Sequence, residues 1–211
     1  MSKVHLHSDS LPVGGPHRVV PLVEFLRLIA RAEVMGLVES SEEPHDVRER
    51  TLETIRALEA AGIGRARAAM LQLQDLDSQD ELTLAAVEAL NADLEACPSP
   101  RGEWPNLHSL LGIDLLSNLV GVSEASVRRY QRSERVTPDD VAVRLHSVAL
   151  IVADLAGGYN EFGIRRWFQR KRTALDGRSP QELLRGDWDP GDPGPDQVRH
   201  LAAQLVSGGA T

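Results

Sequence analysis

Arg128, Arg129 and Arg132 follow Ser123 and Ser126 closely, and Arg135 comes three residues later. On one side of a helix, guanidinium groups at this spacing can each hold the O6/N7 edge of guanine, or a phosphate, through two parallel hydrogen bonds. Ser123 suits the cap position that starts such a helix. Ser126 is short enough to reach a base edge or a phosphate. Gln131 pairs well with adenine, but in this register it lies to the side. Arg135 falls past the helix end, where phosphate contact is the better fit. The chemistry suits recognition of duplex DNA from the major groove; the competing reading is a solvated helix face.

No comparable constellation points to catalysis. The chain has no HExxH, CxxC, phosphate loop or Gly-Xaa-Ser-Xaa-Gly. His108, His146 and His200 are isolated and read as packed or surface side chains. Cys97 has no basic neighbour to favour a thiolate. Asp187, Asp189, Asp192 and Asp196 share one loop without calcium-loop register or a closing bidentate Glu. His5, His7 and His17 lack acidic or Cys partners. No enzyme, cofactor or metal is expected.

The arginines need an element to position them, and Ile113–Arg135 provides its pattern. Counted from Ile113, the fourth, eighth, tenth, fifteenth and eighteenth places are Leu116, Val120, Val122, Val127 and Tyr130, all apolar. The fifth is Ser117, small where two helices approach. The ninth is Gly121, where a left-handed turn disfavours a side chain. This is the internal skeleton of a helix-turn-helix.

The net charge of −8 argues at first against nucleic acid. Its distribution weakens that argument. Residues 1–105 carry 18 acidic and 10 basic side chains, whereas residues 106–211 carry 13 of each. Phosphate binding requires local positive potential rather than a positive total. A second basic run, Arg165, Arg166, Arg170, Lys171 and Arg172, encloses Trp167 and Phe168. Stacking on single strands needs exposed rings; here the rings read as the core of a small helical unit with a basic rim.

No apolar run approaches the about 20 residues needed to cross a bilayer, and the first residues lack the apolar segment of a secretory signal. A single cysteine rules out an intramolecular disulfide and fits a reducing cytoplasm. The expected class is all-α. Residues 1–17 read as a flexible tail and 18–97 as an acidic helical domain. Residues 98–106, with four breakers, read as a linker. Residues 107–156 form the helix-turn-helix domain and 157–211 a small C-terminal helical domain. Ser78 with Glu81, and Ser179 with Glu182, have capping-box spacing. Thr137-Pro138-Asp139 reads as a Thr-capped helix start, and Gly157-Gly158 as a stop.

With its helix-turn-helix followed by GIRRWFQRKRTALDGRSPQELLRGDWDP and DQVRHLAAQLVSGG, the second half resembles Xre-type antitoxins with a ParS/MbcA-like toxin-binding domain. Trp167, Leu175, Gly177, Pro180, Leu184, Val198, Leu201 and Leu205 carry the resemblance and would form the toxin-binding fold. Arg170-Lys171-Arg172 stands where the family often has Pro-Asn, and residues 1–100 have no counterpart in short family members. The resemblance implies a dimer, or a larger assembly with its toxin, that represses its own operon on double-stranded operator DNA. It also implies a RES-domain toxin partner that consumes NAD, with Val198–Thr211 nearest the toxin's cleft. The alternatives are a stand-alone regulator whose N-terminal domain senses a ligand or mediates dimerisation, and a helical adaptor that does not bind DNA.

Overall fold

The computed structural model describes residues 19–40, 46–65, 67–68 and 81–208. It is all-α, with ten helices and no strand among the described residues. They are α1 Val19–Val34, α2 Val47–Ala61, α3 Glu81–Glu95, α4 Pro100–Leu111, α5 Ile113–Val120, α6 Glu124–Gln131, α7 Asp139–Ala156, α8 Glu161–Gln169, α9 Pro180–Leu183 and α10 Pro193–Gly208. A 3₁₀ turn, Thr173–Leu175, joins α8 to α9. The tail histidines and the Ser78 cap lie outside the described residues.

The central helix is α7. Its sequence DDVAVRLHSVALIVADLA is apolar on nearly every face, and 13 of its 18 residues are buried. A helix apolar all round must be covered on all sides. Helices α1, α4, α5, α8 and α10 all pack on α7. One apolar cluster therefore runs from Val34 through the α4–α8 region to Val198 and Ala202. A second, built on Leu28, Ile55, Leu58, Val87, Leu90 and Leu94, joins α1, α2 and α3. Helix α1 contributes to both.

The stretch expected to be a linker is mostly helix. Pro100 occupies the first turn of α4, where its missing N–H costs nothing. Ser99 N–H donates to Glu103 Oε1 at 3.1 Å, closing the start of the helix. Gly102 is a contact residue rather than a breaker: a Cβ there would lie 2.1 Å from the Met35 carbonyl oxygen. Asn106 Nδ2 donates to the Glu33 carbonyl at 2.7 Å, at the C-terminal end of α1. Trp104, 1% exposed, anchors the helix in the first cluster. Pro105 forfeits only one bond inside the helix.

The start of α7 also differs from expectation. Pro138 occupies the cap position and no side chain caps the helix. Thr137 Oγ1 instead accepts the Trp104 indole N–H at 3.0 Å. A buried indole needs an acceptor, and Asp139 and Asp140 complement the helix's positive end without one. The Gly157 stop falls where expected, immediately after Ala156.

Buried polar groups join the halves. His146 Nδ1 lies 2.6 Å from Glu103 Oε1, and its Nε2 donates to the Glu95 carbonyl at 3.0 Å. Asp154, with a side chain 1% exposed, faces Arg27, Arg31 and Arg199 at 3.8–3.9 Å. Burial raises the Asp154 pKa despite these cations and lowers that of Arg31. Glu95 bridges Arg31 at 2.5 Å and Arg199 at 3.1 Å. Helices α1, α3, α7 and α10 thus meet at one ionic node.

Candidate nucleic-acid interface

Helix α5 buries Leu115, Leu116, Leu119 and Val120, with Ser117 only 8% exposed. The Ser117 carbonyl accepts both Gly121 N–H at 3.0 Å and Val122 N–H at 3.1 Å, ending the helix. Gly121 has φ +74° and ψ 34°, the left-handed conformation that favours glycine. Space imposes the same choice, because a Cβ there would sit 1.9 Å from the Gly186 carbonyl oxygen.

Ser123 then caps α6: its Oγ accepts from Ser126 N–H at 3.2 Å and lies 3.0 Å from Ser126 Oγ. Helix α6 buries only Val127 and Tyr130. Tyr130 stacks on Trp104 with ring centroids 5.4 Å apart and planes inclined by 21°. The pair anchors α6 from beneath and leaves its outer face open. Val122 is half-buried against the same core.

That outer face presents Arg128, Arg129, Arg132 and, just beyond the helix, Arg135, all exposed. Arg128 pairs with Glu124 at 2.8 Å across one helical turn, and Arg132 approaches Glu134 at 3.7 Å. Exposed pairs of this kind are worth at most about 1 kcal/mol and yield readily to a phosphate. The Arg135 guanidinium lies over the Tyr130 ring at 5.8 Å. Arg129 makes no ion pair among the described residues. Ser126 is half-exposed, and Ser123 is committed to capping. The six residues named from the sequence thus lie on one short helix and its flanks.

Sequence reasoning missed what fixes the turn. The last carbonyls of α5 have no partner within the helix. Trp188 Nε1 donates to the Leu119 carbonyl at 2.8 Å, and Arg144 Nε to the Val120 carbonyl at 3.0 Å. Arg144, 5% exposed, also binds Asp140 at 2.7 Å and Asp187. One buried guanidinium therefore ties α5, α7 and the loop after α9 together. Asp187, which reads from sequence as part of a solvated turn, is one end of that tie. A buried-helix position that demands arginine was the only available sign: Arg144 interrupts the apolar surface of α7.

Comparison with models of known families, with curated proteins and with solved structures finds no match.

The C-terminal residues singled out from sequence are mostly internal. Trp167, Leu175, Leu184 and Val198 are at most 2% exposed, and Pro180 is buried. Trp167 meets Phe168 edge-on at 5.3 Å, and Arg172 covers the Trp167 ring at 4.8 Å. Gly177 is exposed with φ +77°, Leu201 is half-buried and Leu205 is 40% exposed. These residues build the C-terminal unit, and only Leu205 and Gly177 present appreciable surface. The capping box at α9 is formed: Glu182 N–H donates to Ser179 Oγ at 3.3 Å, and Ser179 N–H to Glu182 Oε2 at 2.6 Å. The Ser179 amide holds the Glu182 pKa below the usual carboxylate value. Phe162, by contrast, is a large apolar side chain left 68% exposed on α8. Among the described residues no group of His, Cys, Asp and Glu is placed to hold a metal, and no helix is long and apolar enough to cross a membrane.

Proposed function

We propose that this chain binds double-stranded operator DNA through α5 and α6 and restrains a protein toxin through its C-terminal unit, as an autoregulatory antitoxin. The observation that carries the DNA half is the geometry of α6. It is a short helix held by Val127 and Tyr130, with a glycine turn and a serine cap behind it and three arginines facing out. The toxin half rests on the resemblance of residues 157–211 to antitoxins of RES-domain toxins. A homodimer is part of the proposal, because one recognition helix reads only a few base pairs and two-fold pairing supplies a second half-site. Larger assemblies with toxin follow the same symmetry.

A stand-alone regulator is favoured by a different observation. Helix α1 packs on α7, and Arg31 and Asp154 face one another across that contact. An event in the N-terminal helices would therefore meet the helix that supports the DNA-binding turn.

Co-expression separates the two. The antitoxin reading expects the chain to co-purify with the product of the adjacent gene and to relieve its toxicity. Growth arrest by that product, unrelieved by the chain, overturns the toxin half. The DNA half is tested by fluorescence anisotropy on a duplex selected by the protein from a random pool, with binding that weakens steeply as salt rises. An absence of any selectable duplex overturns it.

A further inference from the structure

The outer face of α6 carries its cations at one end only. Arg128, Arg129 and Arg132 follow its midpoint, whereas Glu124, Ala125 and Ser126 at its start include an acid and no cation. A helix seated in the major groove is flanked by phosphates beyond both ends, and backbone contacts fix its register. On this face α6 supplies cations for one flank.

The fold brings a cation to the other from outside the helix-turn-helix. Gly186 lies against the turn so closely that Gly121 has no room for a Cβ beside the Gly186 carbonyl. Trp188, two residues on, is bonded to the Leu119 carbonyl at 2.8 Å, and Asp187 is held by Arg144. The loop after α9 is thus anchored on three consecutive residues beside the turn leading into α6. Arg185 immediately precedes them. It is exposed and makes no hydrogen bond or ion pair among the described residues. Of the acids in the same loop, Asp187 is paired with Arg144, and the exposed Asp189 and Asp192 accept from the Gly191 and Asp189 amides. An extended arginine reaches roughly 6 Å from its Cα, and Ser123 is within about 7 Å of Gly121 along the chain.

We propose that Arg185 is a phosphate-contacting residue that extends the DNA interface of α6 onto the C-terminal unit, meeting the backbone that flanks the start of α6. The proposal rests on the DNA-binding reading of α5 and α6. It makes the C-terminal unit a part of the DNA-binding surface and not only a partner-binding module. A backbone contact also positions without reading sequence, so its loss is felt equally on every duplex.

The test uses the full chain, a duplex selected by the wild-type protein from a random pool, and a scrambled duplex of equal length. Anisotropy titrations run from about 50 to 300 mM KCl. Each phosphate contact adds about 0.9 to the slope of log affinity against log salt, equivalent to about eightfold in affinity at 0.1 M. Arg185→Ala should lose that amount per bound protomer on both duplexes, with an unchanged melting temperature. Arg185→Lys should recover most of the loss, and Arg185→Gln should not. Arg129→Ala is the reference within α6. If Arg129→Ala weakens binding while Arg185→Ala keeps wild-type slope and affinity, Arg185 lies off the interface and the DNA reading stands. If the wild-type chain selects no duplex, both fall.

Discussion

Replacing Gly121 by alanine tests whether the turn between α5 and α6 and the C-terminal loop are one structure. Two costs are separable. The first is conformational: at φ +74° and ψ 34° an alanine pays about 1 kcal/mol relative to glycine. The second is steric. The new Cβ would lie 1.9 Å from the Gly186 carbonyl oxygen, so turn and loop must part by about 1.5 Å to reach ordinary contact. That displacement carries Trp188 Nε1 from 2.8 Å out of hydrogen-bonding range of the Leu119 carbonyl, and an unpaired buried polar group costs about 1–3 kcal/mol. The expected total is about 3 kcal/mol, or roughly 6–12 °C in melting temperature for a chain of this size. Gly62→Ala is the control. Gly62 also ends a helix in a left-handed conformation, φ +84° and ψ 8°, but its Cβ would meet only the flexible end of Arg65 at 3.3 Å. It should lose about 1 kcal/mol. Both variants are followed by urea unfolding with far-UV circular dichroism and Trp fluorescence. Equal losses in the two would refute the argument that Gly186 and Trp188 hold the turn.

Three further expectations follow from the same contacts. Trp167→Ala should cost about 3–5 kcal/mol as a core truncation, whereas Phe162→Ala should shift stability by less than about 0.5 kcal/mol while weakening any partner held by α8; calorimetry and pull-down read the two effects. Burial raises the Asp154 pKa, so the native state binds its proton more readily than the unfolded chain. The stability of wild type relative to Asp154→Asn should be greatest at acidic pH and fall as pH rises through the folded-state pKa, which parallel melts would detect; a difference independent of pH contradicts it. Ser133 holds φ +56° without being glycine, so Ser133→Gly should raise stability by up to about 1 kcal/mol in urea unfolding, and a loss there would show that the serine side chain outweighs its strain.

What the sequence made legible was periodic. The spacing of Leu116, Val120, Val127 and Tyr130 matches the face that α5 and α6 bury, and Gly121 and Ser123 mark the turn and cap by local chemistry alone. The Ser179–Glu182 capping box was visible for the same reason. Residues 98–106 misled because Gly and Pro serve two purposes. Pro100 starts a helix, and Gly102 admits the carbonyl of Met35, from a distant segment of the chain. The bonds from Trp188 to Leu119 and from Arg144 to Val120 span 69 and 24 residues. No local pattern encodes such a contact. The residues chosen for their family spacing at the C-terminus proved to be mainly those that pack, because spacing constraints are strongest where side chains are buried.

The central claim is that α6 and its flanks bind duplex DNA through arginine. The most direct test is the salt dependence of affinity for a selected duplex, measured for wild type and for Arg128→Ala/Arg129→Ala. The account predicts a steep negative slope of log affinity against log salt, reduced by about 0.9 for each phosphate contact removed, with melting temperature unchanged because both side chains are exposed. A variant that binds with wild-type affinity and slope would contradict it.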